Sequence, residues 1–173
     1  MATSIITKFT IGTEEGINTL FFISSEITRA RLKEKISDQE LEDYISTNFN
    51  KDTLMGELNS LSNQYLIVYA DDKPAGYAKV SSKGIRPSIF GGKTLARISD
   101  FGVLAKYDEP LICKSLFEKC LSISKMQQVI WISDFEGSPY LDLFEGYGFK
   151  KEINITLSKE LSLPVTHFVK EKP

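Results

Sequence analysis

Histidine occurs once in this chain, at His167, and cysteine twice, at Cys113 and Cys120. On a single helix that cysteine spacing is two turns, about 10 Å, too far for a disulfide and without the clustered partners of a metal site. Both cysteines are expected to be small buried hydrophobes. His167 stands alone in a terminal strand and offers no cluster chemistry. Gly91, Gly92 and Lys93 form a run too short and misplaced for a nucleotide-triphosphate loop. The stretch AKYDEPLICKSLFEKC, Ala105 to Cys120, carries more information. It reads as a strand exit, a tight turn and an amphipathic helix, and a helix start of this kind can receive an anion on its unsatisfied amides. Its opening residues contain no glycine.

The elements that would position such a site follow from periodicity. Ser4 to Thr10 reads as a first strand. Ile17 to Lys35 reads as a long helix with Leu20, Phe21, Ile23, Ser24, Ile27, Ala30 and Arg31 along its inner side and margins. Arg29, Arg31, Lys33 and Lys35 read as a solvated charged face. Ser37 is placed to cap a second helix, with Glu40 completing a reciprocal capping box. Asn50 introduces a third, on Leu54, Leu58 and Leu61. QYLIVYA and GYAKVSS then form a hairpin across DDKPA. TLARISDFGVL reads as a central strand in which Gly102 marks a bulge or a close backbone approach. Leu111, Ile112, Leu116, Phe117, Cys120 and Leu121 give the face of the next helix. VIWIS is a buried strand with Trp131 in the core, SPYLDLFEGYGF a short helix with Pro139 in its first turn, EINITL an alternating strand and THFVKE a last antiparallel one.

The chain has 173 residues, 42% hydrophobic and 25% charged, which suits one soluble globular domain with one core. A net charge of −2 excludes sequence-wide steering onto nucleic acid. No apolar run reaches membrane-spanning length and no signal-peptide core is present, so a cytoplasmic protein without a transmembrane helix is expected. Helices first, then a hairpin, a central strand, helix, strand, short helix and final strands predict a three-layer mixed α/β (α+β) domain, not a fully parallel dinucleotide-binding sheet.

In three blocks the chain resembles the GNAT acyltransferase superfamily, particularly its small bacterial polyamine and general N-acetyltransferase branches. QYLIVYADDKPAGYAKV resembles the family's hairpin. RISDFGVLAKYDEPLICKSLFEKC resembles its central strand, cofactor loop and helix, and SPYLDLFEGYGFKKE its late helix and glycine-aromatic strand entry. The resemblance implies one GNAT-like acyl-CoA N-acyltransferase domain over residues 1–173, a central mixed sheet flanked by helices, a terminal strand near 165–170, and use of acetyl-CoA or CoA. It assigns pantetheine contacts to Phe101 and Val103, and the phosphate loop to Asp108, Leu111, Ile112, Cys113 and Lys114. It also implies a small-molecule or peptide amine as acceptor, with no nucleic acid and no membrane, and a homodimer.

Four residues depart from the family pattern in that loop. Asp108 brings like charge toward a pyrophosphate, Pro110 has no amide to donate, and Leu111 and Cys113 carry side chains where glycine permits close approach. An Asp108 cap would consume the amide hydrogens that an anion needs. The position of the family's tyrosine acid falls at Phe144, which leaves Tyr147 as alternative acid, Asp100 as candidate base ahead of Glu145, and Ser99 beside it on the opposite face of a regular strand. Tyr44, Phe49 and Phe135 are the candidate acceptor-pocket residues. Two functions follow from these expectations: acetyl transfer from acetyl-CoA to an amine through a degenerate phosphate loop, or a catalytically inactive ligand-binding or structural protein on the same fold.

Overall fold

The computed structural model describes residues 3–173. Its elements, in chain order, are β1 (Ile5–Phe9), α1 (Glu14–Leu32), α2 (Asp38–Asn48), α3 (Lys51–Leu58), β2 (Asn63–Ala70), β3 (Lys73–Ser81), β4 (Leu95–Val103), α4 (Pro110–Ile123), β5 (Val129–Phe135), α5 (Leu141–Gly146), β6 (Lys150–Glu152) and β7 (Val165–Glu171). The seven strands form one sheet in the order β1-β2-β3-β4-β5-β7-β6. Only β4 and β5 run parallel. No described helix is long and apolar enough to cross a membrane.

The first three helices start where short polar side chains meet free amides. Thr13 accepts from the Gly16 N–H, Ser37 from that of Glu40 and Asn50 from that of Thr53. The reciprocal half of the capping box is not made. Glu40 instead accepts from the Ser162 amide and hydroxyl, both at 3.0 Å, and so ties the segment before β7 to α2.

The apolar stripe of α1, with Leu20, Ile23 and Ile27, packs with α2, α3 and the side chains of Tyr65, Ile67 and Tyr77 on one face of the sheet. Leu116, Phe117 and Cys120 of α4 and Phe144 of α5 pack with Ile98, Phe101 and Phe168 on the other. Trp131 lies in a third cluster with Phe90, Leu95 and Ile155. The strand expected over EINITL is cut short. β6 ends at Glu152, and Ile155 turns out of the sheet into the Trp131 cluster while Leu161 joins the α1 layer. Burial of two aliphatic side chains outweighs strand pairing there, at about 1.5–3 kcal/mol for each side chain fully buried.

Two irregularities of β4 position the site. Its ladder with β5 joins Leu95–Ile98 to Val129–Ile132 and stops. Beyond it β4 stays with β3 and β5 with β7, so the two parallel strands part. The second irregularity is a bulge: Tyr77 faces Gly102, but Lys79 faces Ser99. Asp100 absorbs the extra residue with φ at +56°, a left-handed conformation that costs a residue with a Cβ. Ser99 and Asp100 therefore emerge on the same face, while Ile98 and Phe101 both point to α4. Gly102 serves the second of its two expected roles. A Cβ there would stand 2.6 Å from Ile27 Cγ2, so its absence lets α1 lie directly on β4.

Candidate functional site

Where β4 and β5 part, two side chains fill the gap. Arg31 reaches in from α1. Its Nη1 donates to the Phe101 carbonyl at 3.1 Å, and its Nη2 donates to Asp134 at 2.5 Å and to Ser138 Oγ at 3.4 Å. Asp134 is buried and holds Ser138 Oγ through its second oxygen at 2.6 Å. Burial disfavours the Arg31 charge, yet the Asp134 carboxylate outweighs that cost and leaves the guanidinium pKa raised. From the other side Tyr140, at the start of α5, accepts the Val103 N–H on its phenolic oxygen at 2.9 Å. Its ring packs edge-on against Phe101 with 5.0 Å between centroids. Arg31 also lies over the Tyr140 ring, 5.7 Å from its centroid, so the two filling groups touch each other.

The α4 start is likewise turned inward. Glu109 is the cap residue and makes no side-chain cap bond. Its carbonyl takes both the Ile112 and the Cys113 amides, at 3.0 and 3.1 Å, and Pro110 supplies no amide. The expected Asp108 cap is absent: its carboxylate accepts from the Cys113 thiol at 3.7 Å instead. Burial and then Asp108 push that thiol up to about 11.

On the α1–α3 side of the sheet a cleft of about 420 Å³ opens between α2, β3, β4, β5 and the segment before β7. Tyr44, Phe49, Phe135 and Leu157 supply apolar wall. Its charges differ in how they are matched. Lys79 pairs with Glu57 at 2.6 Å, and Glu57 also accepts from the Tyr65 hydroxyl. Arg31 is committed to Asp134. Among the described residues no acid lies within ion-pair distance of Arg97, whose buried Nε has no hydrogen-bond partner and whose guanidinium stacks 4.8 Å from the Trp131 ring centroid. Burial lowers the Arg97 pKa, and Asp100 partly opposes it. Asp100 likewise has no ion-pair or hydrogen-bond partner for its carboxylate among the described residues. Burial raises its pKa, against the opposing pull of Lys79 and Arg97. His167 Nδ1 lies 3.0 Å from Ser133 Oγ on the β5–β7 wall, and burial followed by Arg97 lowers the histidine pKa.

No protein-family model matches the chain. Solved structures do match it across nearly its whole length. The PaiA N-acetyltransferase of Thermoplasma acidophilum, in complex with coenzyme A, superposes with a TM-score of 0.76 at 17% identity over 98% of this chain and 99% of that one. An acetyltransferase from Streptococcus agalactiae gives 0.64 at 16% identity over 97% and 98%. An acyl-CoA N-acyltransferase from Pseudomonas aeruginosa gives 0.62 at 12% identity over 98% and 99%. The chain has the GNAT fold.

Set on that GNAT frame, the residues at the expected coenzyme position do not fit the group. Phe101 and Val103 stand on the strand where the resemblance puts them, but the Phe101 carbonyl and the Val103 amide, which pantetheine would need, are bonded to Arg31 and Tyr140. Of the expected phosphate residues, Ile112 and Cys113 are core, and Leu111 and Lys114 face a shallow groove beside β1. Asp108 and Glu109 add negative charge at the mouth. No amide array of the kind a pyrophosphate requires is presented.

The acceptor-pocket candidates fare differently. Tyr44, Phe49 and Phe135 are brought together in the cleft, and Asp100 with them. Tyr147 is not. Its hydroxyl donates to Glu118 of α4 at 2.9 Å, with the sheet between it and the cleft, so it cannot serve as an acid there. The alternation argument that set Ser99 against Asp100 fails because of the bulge, and both line the cleft. Arg97 was overlooked, although its place two residues before Ser99 on an alternating strand puts it on the same face. Arg31 is expected both at the margin of the inner side of its helix and in a solvated charged face, and the first of these holds. Its spacing of four from Ile27 and eight from Ile23, on the buried stripe, was the signal for the inward course it takes.

Proposed function

We propose that this chain is a GNAT-fold binding protein that holds a small ligand in the cleft beside Asp100 and Arg97, and that it does not transfer acetyl groups from acetyl-CoA. The observation that carries this reading is the internal bonding of β4: the Val103 N–H is given to Tyr140 and the Phe101 carbonyl to Arg31. A pantetheine chain would have to displace a buried ion pair and a buried phenol while meeting Asp108 and Glu109 at its phosphates. Acyl transfer gains its rate from positioning and from electrostatic stabilisation. Both are lost when the donor has no seat.

The chain's own residues support a binding role. The Glu57–Lys79–Tyr65 network is internally matched and shapes one wall. Phe49 and Phe135 line the apolar part of the cleft. Asp100 and Arg97 remain to meet a ligand. The competing reading, acetyl transfer to an amine, draws on the GNAT fold and on Asp100 as base, and it requires Arg31 and Tyr140 to leave the gap.

Direct measurement separates the two. Purified protein is titrated calorimetrically with CoA and acetyl-CoA, and then incubated with acetyl-CoA and a panel of primary amines while free thiol is followed. No saturable heat and no thiol release are expected. Micromolar CoA binding, or turnover of any amine, overturns the proposal.

A further inference from the structure

Four cations and four anions line the cleft, and two salt bridges account for four of them. Arg31 is matched by Asp134 and Lys79 by Glu57. Arg97 and Asp100 are left on the sheet wall, and the exposed Lys159 and Glu160 on the segment over the mouth. Arg97 and Asp100 are not matched to each other: no ion pair joins them, although they lie three residues apart on one strand and the bulge brings both to the same cleft. Each carries a separate sign of being built for something external. Arg97 is held by the Trp131 ring with its Nε buried and unbonded, an arrangement that costs free energy unless an acceptor arrives. Asp100 is kept in a left-handed conformation that a glycine would adopt without strain, and its carboxylate is turned into the cleft. Lys79 also pulls on Asp100, and Glu160, exposed on the segment over the mouth, acts on both Arg97 and Asp100.

We infer that the cleft binds a zwitterion, an α-amino acid with an apolar side chain, with its carboxylate on Arg97, its ammonium on Asp100 and its side chain against Phe49, Phe135 and Leu157. A guanidinium presents a planar fork that matches a carboxylate, and a desolvated carboxylate is a strong acceptor for an ammonium. The bulge puts both charges on one face of β4, as a single molecule bearing both requires. A ligand that carries only one complement covers the other half-buried charge without meeting it, which opposes its binding. This inference rests on the binding-protein reading above, in which the cleft and not the coenzyme slot is the working site.

The test uses three compounds that share a phenylethyl skeleton and differ in which charged groups they carry: L-phenylalanine, 2-phenylethylamine and 3-phenylpropionate, with L-leucine as a second zwitterion. Calorimetric titration of the full chain is expected to show the zwitterions binding about 10–100-fold more tightly than either singly charged analogue, the effect of one charge-assisted contact. Arg97→Gln should reduce phenylalanine affinity to that of 2-phenylethylamine while leaving the amine's own affinity within about twofold. Asp100→Asn should do the converse, lowering phenylalanine to the level of 3-phenylpropionate. Melting temperatures of both variants confirm that they are folded. The inference is overturned if 2-phenylethylamine binds as tightly as phenylalanine, if Arg97→Gln weakens amine and amino acid equally, or if neither phenylalanine nor leucine binds. Coenzyme A binding in a parallel titration would defeat the function proposed above without altering the charge pattern read from these three probes.

Discussion

Replacing Tyr140 by phenylalanine removes one oxygen from the protein and isolates the claim that the GNAT slot is closed from within. The ring stays, with its edge-on contact to Phe101 at 5.0 Å, so no cavity forms. The Val103 N–H, which Tyr140 accepts at 2.9 Å in a buried setting, loses its acceptor. A buried donor left unmatched costs about 1–3 kcal/mol. For a domain of this size 1 kcal/mol moves Tm by roughly 2–4 °C, so the variant should melt about 2–10 °C lower. Exchange of the Val103 amide should quicken, by about tenfold for every 1.4 kcal/mol lost locally. Calorimetric melting and amide exchange followed by NMR provide the two readouts. A ligand-linked arm sharpens the test. A coenzyme at 100 times its Kd stabilises a protein by about 2.7 kcal/mol, which would raise Tm by roughly 5–10 °C. Wild-type protein with excess CoA is expected to show no such rise. Two results refute the reasoning: Tyr140→Phe melting within about 1 °C of wild type with Val103 exchange unchanged, or a wild-type Tm that climbs with CoA.

The remaining predictions concern the other buried charges. Arg31→Met leaves Asp134 without its counter-ion and should destabilise the fold by about 3–5 kcal/mol in urea denaturation, whereas Arg31→Met combined with Asp134→Leu should recover most of that loss. Asp100→Gly removes the Cβ from a left-handed position and should leave stability unchanged or raise it by up to about 1 kcal/mol, at the expense of phenylalanine binding. The pH dependence of Asp100 has a defined sign. Burial raises its folded pKa, so its ionisation opposes folding from the unfolded value of about 3.9 upward through the folded value. Asp100→Asn should therefore gain stability relative to wild type as pH rises from about 4 to neutrality, measured by melting across that range, and a constant difference between the two would refute the assignment.

Periodicity in the sequence was enough to place nearly every helix and strand, because each buries one face and its apolar residues recur at the matching interval. Polar side chains with two plausible destinations were harder. Glu40 has the right spacing to close a capping box, yet bonds Ser162 across the molecule, a contact 122 positions away in sequence. Arg31 has the charge of a surface residue and the spacing of a core one, and only the presence of Asp134 on a distant strand decides between them. Asp100 could not be given a face from alternation, since a bulge is a property of how two strands register and leaves no mark in either alone. The departures in the α4 loop were visible as residue types at Asp108, Pro110, Leu111 and Cys113. Their counterpart in the gap between β4 and β5 was not, because it is assembled from α1, β5 and α5.

That three-element closure couples two buried groups so that neither can be removed alone without cost. Reopening the slot by losing Arg31 alone leaves a buried aspartate without its counter-ion, and losing the Tyr140 hydroxyl alone leaves a buried amide without an acceptor. Each single change leads to a less stable protein. Opening the gap between β4 and β5 therefore takes two coordinated changes, since each made alone lowers the stability of the fold.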